Sequence, residues 1–420
     1  MSALPGLRDG RLVDRRLLET GRLARALAAL NGDGEETRLV GGAVRDLALG
    51  AAAADFDLAT TALPEVVIQR ARAAGFGVAP TGVAHGTVTV IVDGRPIEAT
   101  TLRRDVDTDG RHAKVAFGRD FRDDAQRRDF TINALSLSVD GVVHDYVGGL
   151  MDLAARRVRF IGEARQRIRE DYLRILRFFR FSARYGEGGL DKAGFEAALA
   201  EREGLAILSR ERVRAELMKL LVAPQAAQVL VALCEAGLLQ PLVAGQTDAA
   251  RLARLAAIEA AGEMAPDPLL RLGALCVRVE EDAERLRERL RLSNAEAERL
   301  AVLARGLADL HDGETPPGLG ALRRLLFERR RQGALDALAL FHADSDAPAD
   351  DWRFARAGAF LLSTPEPSLP ITGADVVARG VTHGRRVGAT LKKLQALWIR
   401  AGFPREPETL ARLLDEALKP

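Results

Sequence analysis

The chain contains 420 residues, 47% of them hydrophobic, with a formal net charge of +2. This length is too great for one small core, so we expect two to four domains. No run approaches the roughly 20 apolar residues of a membrane span, and Met1 to Asp14 has no apolar core of signal-peptide type. Cys234 and Cys276 lack metal-binding spacing and are expected to be free thiols. The sequence predicts a soluble, cytoplasmic protein that does not associate with membranes.

The predicted elements change in character along the chain. An amphipathic helix from Arg15 to Leu30 comes first. Strand-like runs then recur between Arg38 and about Tyr146, and Asp93-Gly94 is a hairpin signal between two of them. The runs are Val88–Val92, Ile97–Leu102 and Leu135–Val143. From Ile168 onward helical periodicity dominates, beginning with a helix from Ile168 to Tyr185. We predict an α+β fold, with a small mixed or antiparallel N-terminal sheet followed by an all-helical remainder.

The first candidate site is a glycine pair followed by two aspartates. Asp55 and Asp57 are two residues apart, so on a strand they project to the same side. Two such carboxylates repel each other unless a cation lies between them, and Mg²⁺ prefers oxygen ligands. Gly41-Gly42 permits close approach of a phosphate, and Arg45 could pair with that phosphate or with Asp46. A turn or capping role for the aspartates remains an alternative.

Two further segments carry polar groups in unexpected places. Glu98 lies in a predicted strand between apolar residues. It is either a third carboxylate for the same metals or a solvated residue on an edge strand. Arg128 could reach a phosphate. Asp129 and Asn133 are four residues apart and would share a helix face, where they suit the hydroxyls of a ribose. An ordinary ion pair at a helix start is the alternative for this segment.

The next segment is rich in arginine, which makes it either a phosphate-contacting surface or a solvated helix face with ion pairs. Its arginines are Arg156, Arg157, Arg159, Arg165, Arg167, Arg169, Arg174, Arg177, Arg180 and Arg184. Asp171, Arg174 and Arg177 recur every three residues on the predicted helix. Asp171 accepts and Arg174 donates hydrogen bonds, a pattern that complements cytosine and adenine and opposes guanine and uracil. The alternative is an i,i+3 salt bridge between Asp171 and Arg174.

Together these segments resemble the class II tRNA nucleotidyltransferases, or CCA-adding enzymes, whose head is shared with bacterial poly(A) polymerases in the DNA polymerase beta superfamily. The similarity runs in chain order through Gly41–Asp46, Asp55–Thr60, Glu98–Arg103, Asp109–His112, Arg127–Asn133, Asp145–Gly149 and Arg167–Phe181, with a supporting segment at Glu211–Leu217. The stretch from Arg104 to Arg119 resembles the flexible loop that helps these enzymes to switch from CTP to ATP.

The resemblance implies a role for each matching residue. Asp55 and Asp57 would bind two Mg²⁺ ions, and Glu98 would be the third active-site carboxylate. Gly42, Arg45 and Arg128 would hold the triphosphate, whereas Asp129 and Asn133 would hold the ribose. Asp171 and Arg174 would read the base as a template, and Arg177 and Arg180 would support that template and the phosphates. The metals would activate the tRNA 3′-hydroxyl and stabilise the leaving pyrophosphate.

The resemblance also implies an organisation and an activity. Residues 1–155 would form the catalytic nucleotidyltransferase head, 156–225 a helical neck that recognises the base, 226–343 a helical body and 344–420 a helical tail that binds tRNA. The expected reaction adds C, C and A to the tRNA 3′ end from CTP and ATP, catalysed by a monomer or homodimer. A poly(A) polymerase, an enzyme that adds only part of CCA, and a non-catalytic RNA-binding protein are the alternatives.

Overall fold

The computed structural model describes residues 4–53, 55–108, 113–187, 189–311, 315–381 and 384–419. It divides into two compact units, Met1–Leu238 and Leu239–Pro420. The first unit contains the strands and the candidate site, and the second is built from helices. The α+β class predicted from the sequence is therefore confirmed, whereas the finer division into head, neck, body and tail stays a prediction.

The strands all lie in the first unit. They are β1 (Leu7–Arg8), β2 (Arg11–Leu12), β3 (Thr37–Val40), β4 (Asp57–Thr60), β5 (Gly77–Gly82), β6 (Thr87–Val92), β7 (Arg95–Thr101), β8 (Arg103–Thr108), β9 (Ala113–Phe117), β10 (Ser136–Leu137) and β11 (Val143–His144). β8 pairs with β9, and residues 109–112, which include the predicted motif Asp109–His112, lie outside the described residues.

A seven-stranded mixed sheet forms the centre of the first unit, in the order β11-β10-β3-β4-β7-β6-β5. β4 and β7 run parallel, and the other neighbours are antiparallel. β6 alternates as expected, because Val88, Val90 and Val92 are fully buried. The predicted hairpin between β6 and β7 is confirmed: Asp93 and Gly94 have φ values of 52° and 73°, as a type I′ turn requires.

Helices surround this sheet and continue from it. In the first unit they are α1 (Arg16–Glu19), α2 (Gly21–Leu30), α3 (Gly42–Ala48), α4 (Pro64–Ala73), α5 (Phe121–Gln126), α6 (Gly149–Ala154), α7 (Ala164–Glu170), α8 (Leu173–Tyr185), α9 (Lys192–Ala200), α10 (Arg210–Leu221) and α11 (Ala226–Glu235). Short 3₁₀ helices span Val83–His85, Thr131–Asn133 and Arg202–Ile207.

All regular secondary structure in the described residues of the second unit is helical. Its helices are α12 (Gln240–Val243), α13 (Ala249–Ala261), α14 (Pro268–Cys276), α15 (Glu280–Leu290), α16 (Asn294–Leu310), α17 (Leu319–Asp344), α18 (Trp352–Ser363), α19 (Gly373–Ala378), α20 (Gly384–Arg400) and α21 (Pro407–Leu418). None of the helices in the described part of the chain combines the length and apolar character needed to cross a membrane.

An aromatic core fixes α8 against the segment that precedes it. The ring centroid of Phe130 lies 4.8 Å from that of Phe160 and 5.3 Å from that of Phe181, and Phe130 and Phe178 are fully buried. Burial of aromatic side chains is a large apolar contribution, and their offset contacts add to it. The arginine-rich helix is therefore held firmly beside the residues around Asp129.

Three local predictions were wrong. The helix expected from Arg15 to Leu30 is divided at Thr20, which is extended with φ −138°. The helix expected from Ile168 to Tyr185 is divided at Asp171, where φ is −157° and the chain passes from α7 to α8. Asp129 and Asn133 do not lie on an α-helix, because Thr131–Asn133 is a single 3₁₀ turn. The break at Thr20 is local, because Gly21 has φ 85° and the N–H and hydroxyl of Thr20 both donate to the carbonyl of Arg16. Asp171 and Asp129 are instead bound by the distant residues Arg212 and Arg177, which periodicity does not reveal.

Candidate functional site

The three candidate carboxylates lie at the start of β4 and beside it. The parallel register of β4 and β7 places Asp57 opposite Glu98, and Asp55 precedes Asp57 by two residues. All three residues are solvent-exposed. The pKa of Asp57 is raised, first by partial desolvation and then by the negative charges of Glu98 and Asp55, although Arg128 opposes the shift. The three carboxylates therefore lie close enough to repel one another, which a cation would relieve.

This arrangement suits a metal ion whose coordination is completed by oxygen atoms of the substrate. Among the described residues, no three His, Cys, Asp or Glu side chains form a ready-made metal cage. Mg²⁺ is commonly bound through one or two carboxylates together with substrate phosphates and water, so an all-protein cage is not required. Asp55, Asp57 and Glu98 provide exposed oxygen donors of the right kind, and the residues present fit such an ion.

The predicted glycine turn is a position that only glycine fits. Gly41 has φ 74° and ψ −133°, and its N–H donates to the carbonyl of Leu135 at 3.0 Å. A Cβ atom on Gly41 would lie 2.9 Å from Nη1 of Arg128. Positive φ and a close neighbour both exclude a side chain here. The turn thereby brings α3, which begins at Gly42, close to Arg128.

Arg45 is buried instead of facing solvent. Its Nη1 donates to Oδ1 of Asn133 at 2.5 Å and its Nε to Oδ1 of Asp46 at 3.0 Å. The guanidinium also lies 4.0 Å from the ring centroid of Tyr185, whose hydroxyl donates to Asp46. Of the two partners that the sequence allowed, a phosphate or Asp46, the structure contains Asp46. Tyr185 was not predicted, and no local pattern distinguishes it.

Asp129 and Asn133 meet as predicted, although not on one helix face. Nδ2 of Asn133 donates to Oδ1 of Asp129 at 3.1 Å, and Nε of Arg177 donates to Oδ2 at 2.8 Å. Burial acts to raise the pKa of Asp129, but Arg177, Asn133 and the N–H of Phe130 outweigh it, so the pKa lies below its ordinary value. Asp129 is thus an ionised, buried group that joins the head segment to α8.

Arg128 lies between this pair and the glycine turn. Its Nε and Nη2 donate to Oδ2 of Asp124 at 3.2 and 3.1 Å, and its Nη1 donates to the carbonyl of Asn133 at 3.3 Å. The side chain keeps 24% of its surface exposed. Arg128 is therefore a positioned cation that still reaches solvent beside the carboxylates, the arrangement expected of a phosphate contact.

Asp171 and Arg174 have separate partners. Oδ2 of Asp171 accepts from Nη2 of Arg212 at 2.7 Å, and Nη1 of Arg174 donates to Glu170 at 2.5 Å and to the carbonyl of Arg167 at 2.9 Å. No hydrogen bond or ion pair joins the side chains of Asp171 and Arg174, both of which are described. The alternative of an i,i+3 salt bridge between them was therefore wrong, because Asp171 lies in the break before α8.

Arg177 and Arg180 of α8 bind buried acids. Nε of Arg180 donates to Oε2 of Glu216 on α10 at 2.5 Å, and Glu216 is only 6% exposed. Arg177 is bound by Asp129, so these two arginines are ion-paired with buried acids, whereas a phosphate-contacting role for the rest of the arginine-rich segment stays a prediction. Arg212, which binds Asp171, and Glu216, which binds Arg180, belong to the segment Glu211–Leu217. The family resemblance identified this segment as a supporting helix but did not predict these contacts.

Two family profiles and a group of curated proteins match this chain. The profile described as the Poly A polymerase head domain matches residues 37–159, and the one described as a probable RNA- and SrmB-binding site of polymerase A matches residues 190–249. The CCA tRNA nucleotidyltransferase 1, mitochondrial, of Danio rerio is 34% identical over 395 residues, covering 91% of this chain and 88% of that protein. The CCA-adding enzyme of Geobacillus stearothermophilus is 33% identical over 372 residues, covering 87% and 88%.

Solved structures agree with these relatives. The Bacillus stearothermophilus CCA-adding enzyme in complex with CTP has a TM-score of 0.71 at 27% identity and covers 95% of this chain and 97% of its own. The Thermotoga maritima CCA-adding enzyme complexed with tRNA has a TM-score of 0.69 at 19% identity, covering 99% and 98%, and supports the fold alone. With its fold, its ordered motifs and its full-length relatives in agreement, this chain belongs to the family of CCA-adding tRNA nucleotidyltransferases.

Proposed function

We propose that this protein completes the 3′ end of tRNA by adding C, C and A from CTP and ATP, with release of pyrophosphate. The observation that carries the proposal is the register of β4 and β7, which aligns Asp57 with Glu98 beside Asp55. The relatives named as CCA tRNA nucleotidyltransferases extend over nine-tenths of the chain and support the same reaction.

The catalytic group in this proposal consists of Asp55, Asp57 and Glu98. Asp55 and Asp57 would hold Mg²⁺, for which their exposed oxygens and mutual repulsion are the support. When bound, the metal would supply Lewis-acid activation of the 3′-hydroxyl and neutralise charge on the pyrophosphate. Glu98 supplies a third negative charge beside Asp57, which increases the attraction for a divalent ion.

We assign binding of the triphosphate and the ribose to the residues next to these carboxylates. Gly42 and Arg128 line the glycine turn, and Arg128 supplies the partly exposed positive charge. Arg45 and Asn133 are bound to each other, so we propose that together they form a rigid part of the nucleotide-binding site. Asp129 accepts from Arg177 and Asn133 and would contact a ribose hydroxyl only through lone pairs that these bonds leave free.

Base selection is assigned to Asp171 and Arg174. Asp171 presents an acceptor and Arg174 presents donors, and the two groups do not neutralise each other. Cytosine and adenine complement such a pair, whereas guanine and uracil would place a carbonyl before Asp171 and an N–H before Arg174. Each mispaired group costs about 1–3 kcal/mol, enough to choose CTP and ATP over UTP and GTP. Arg177 and Arg180 support this pair through their bonds to Asp129 and Glu216.

Incubation with tRNA transcripts tests the proposal. Transcripts ending before CCA, ending before the final A and carrying complete CCA are each incubated with Mg²⁺ and all four nucleoside triphosphates, one of which is labelled in each reaction. Incorporation of two C residues and one A on the first, one A on the second and nothing on the third is expected. Long A tracts on unrelated RNA would identify a poly(A) polymerase, and an absence of transfer would favour a non-catalytic RNA-binding protein.

The cellular setting stays a prediction. We propose a cytoplasmic protein that acts as a monomer or homodimer, whereas the vertebrate relatives are named mitochondrial. Fractionation of the native host would decide the location, and sedimentation would decide the oligomeric state.

A further inference from the structure

The backbone at Asp171 gives its carboxylate an unusual setting. Asp171 ends α7 in an extended conformation, with φ −157° and ψ 106°, before α8 begins at Leu173. Oδ1 of Asp171 accepts from the N–H of Leu173 at 3.1 Å, and Oδ2 accepts from Nη2 of Arg212 at 2.7 Å. Both oxygens are therefore held, one by the local backbone and one by a residue 41 positions away.

Arg212 is itself held at a defined place relative to α8. It lies in the first turn of α10, where the hydroxyl of Ser209 caps the helix by accepting from its backbone N–H at 3.4 Å. One helical turn further, Glu216 binds Arg180 of α8 at 2.5 Å. A cap and a buried ion pair thus fix α10 against α8, so the guanidinium of Arg212 approaches Asp171 from a fixed direction.

We propose that Arg212 is a positioning residue for base selection, which rests on the proposed function. Each carboxylate oxygen has two lone pairs, so Oδ1 and Oδ2 can accept these bonds and still accept from the amino group of a base. Discrimination against a carbonyl requires that the acceptor cannot rotate away. Without Arg212, Asp171 can turn toward the nearby guanidinium of Arg174, and the donor and the acceptor then neutralise each other.

The ion pair between Arg212 and Asp171 is strong enough to affect base selectivity but too weak to determine whether the protein folds. The side chains of Arg212 and Asp171 are 51% and 32% exposed, respectively. Exposed ion pairs contribute up to about 1 kcal/mol, so its loss corresponds to about fivefold in discrimination. The effect should appear in the ratio of kcat/KM for CTP to that for UTP, because loss of a general attraction for triphosphates cancels in this ratio.

The experiment compares Arg212→Ala and Arg212→Met with Lys219→Ala, on a tRNA transcript ending before CCA. The Met variant keeps the side-chain stem and removes every donor, so a folded protein is available if the Ala variant fails to fold. Lys219 is an exposed cation on the same helix, about two turns away, and controls for lost charge. We expect the CTP/UTP ratio to fall about fivefold in both Arg212 variants and to stay unchanged in Lys219→Ala.

A double variant shows whether Arg212 acts through Asp171. In an Asp171→Ala background, removing Arg212 should cause no further fall in the ratio. An unchanged ratio in the Arg212 variants, or an equal fall with and without Asp171, would overturn the positioning role. If Asp171→Ala alone leaves the ratio unchanged, it is the base-selecting assignment that fails.

Discussion

Replacement of Arg177 by Met should weaken the first unit by removing the charge partner of Asp129. Asp129 is 8% exposed and accepts from Nε and Nη2 of Arg177 at 2.8 and 2.5 Å. Methionine keeps an apolar stem against Phe181 but offers no donor. The variant therefore leaves a buried carboxylate with only Asn133 and the N–H of Phe130 as partners.

The expected loss is about 2–3 kcal/mol. Removing one partner of a fully buried ion pair costs about 3–5 kcal/mol. The Arg177 side chain keeps 32% of its surface in contact with water, which screens the interaction and places the loss below that range. The two bonds that remain on Asp129 lower the cost further, because its carboxylate is not left without donors.

The effect should depend on pH with a definite sign. The pKa of Asp129 is lower in the folded protein than in the unfolded chain, whose ordinary value is about 3.9. Its stabilising contribution is therefore fully present above that value and is lost as the pH falls through the folded pKa. The difference in unfolding free energy between wild type and Arg177→Met should be largest near pH 7 and shrink below about pH 4.

The chain provides separate reporters for the two units. All three tyrosines, Tyr146, Tyr172 and Tyr185, lie in the first unit, and both tryptophans, Trp352 and Trp398, lie in the second. Urea unfolding followed by the tyrosine and tryptophan near-ultraviolet circular dichroism bands would measure the transitions separately. Arg16→Met, which removes an exposed pair with Asp14, is the matched control and should not shift either transition. An unshifted tyrosine transition at pH 7, or an equal shift at pH 3 and pH 7, would refute the argument.

Two further substitutions test the candidate site. Asp55→Ala should abolish nucleotide transfer while tRNA binding in a filter assay stays near wild type, because the change removes a proposed metal ligand. The control Glu65→Ala replaces an exposed acid and should keep full activity. Turnover by the Asp55 variant would contradict the metal assignment. Gly41→Ala should destabilise the first unit by about 1–3 kcal/mol, since its φ of 74° suits glycine and the new Cβ would crowd Arg128. Gly118→Ala is the control, because the added Cβ atom has no heavy atom within 4 Å. Equal melting temperatures for the two variants would contradict the prediction that Ala at position 41 is strained.

Several features could be predicted because they depend on neighbouring residues. The Asp93-Gly94 turn follows from the positive φ values that these residues tolerate, and the burial of Val88, Val90 and Val92 follows from strand alternation. The change from a sheet to helices near Ile168 followed from hydrophobic periodicity in the same way. The ordered motifs correctly indicated the family, because each short segment carries its residues at fixed spacing.

Other features depend on residues that are distant in the chain. Alternation predicts that Asp55 and Asp57 project to one side, although Asp55 precedes β4, and only the register of β4 with β7 makes Glu98 the neighbour of Asp57. Spacing favoured a continuous helix through Asp171, whereas Arg212, 41 residues away, binds its carboxylate in a break between two helices.

By itself the sequence determined the fold class, the family and the residue types of the site, since these follow from local patterns. Tertiary structure alone decided which charges pair. Arg180 binds Glu216 and Arg177 binds Asp129, 36 and 48 residues away, respectively. Such pairs form because burying an unpaired charge is costly, and chain folding rather than sequence spacing determines which opposite charge lies within reach.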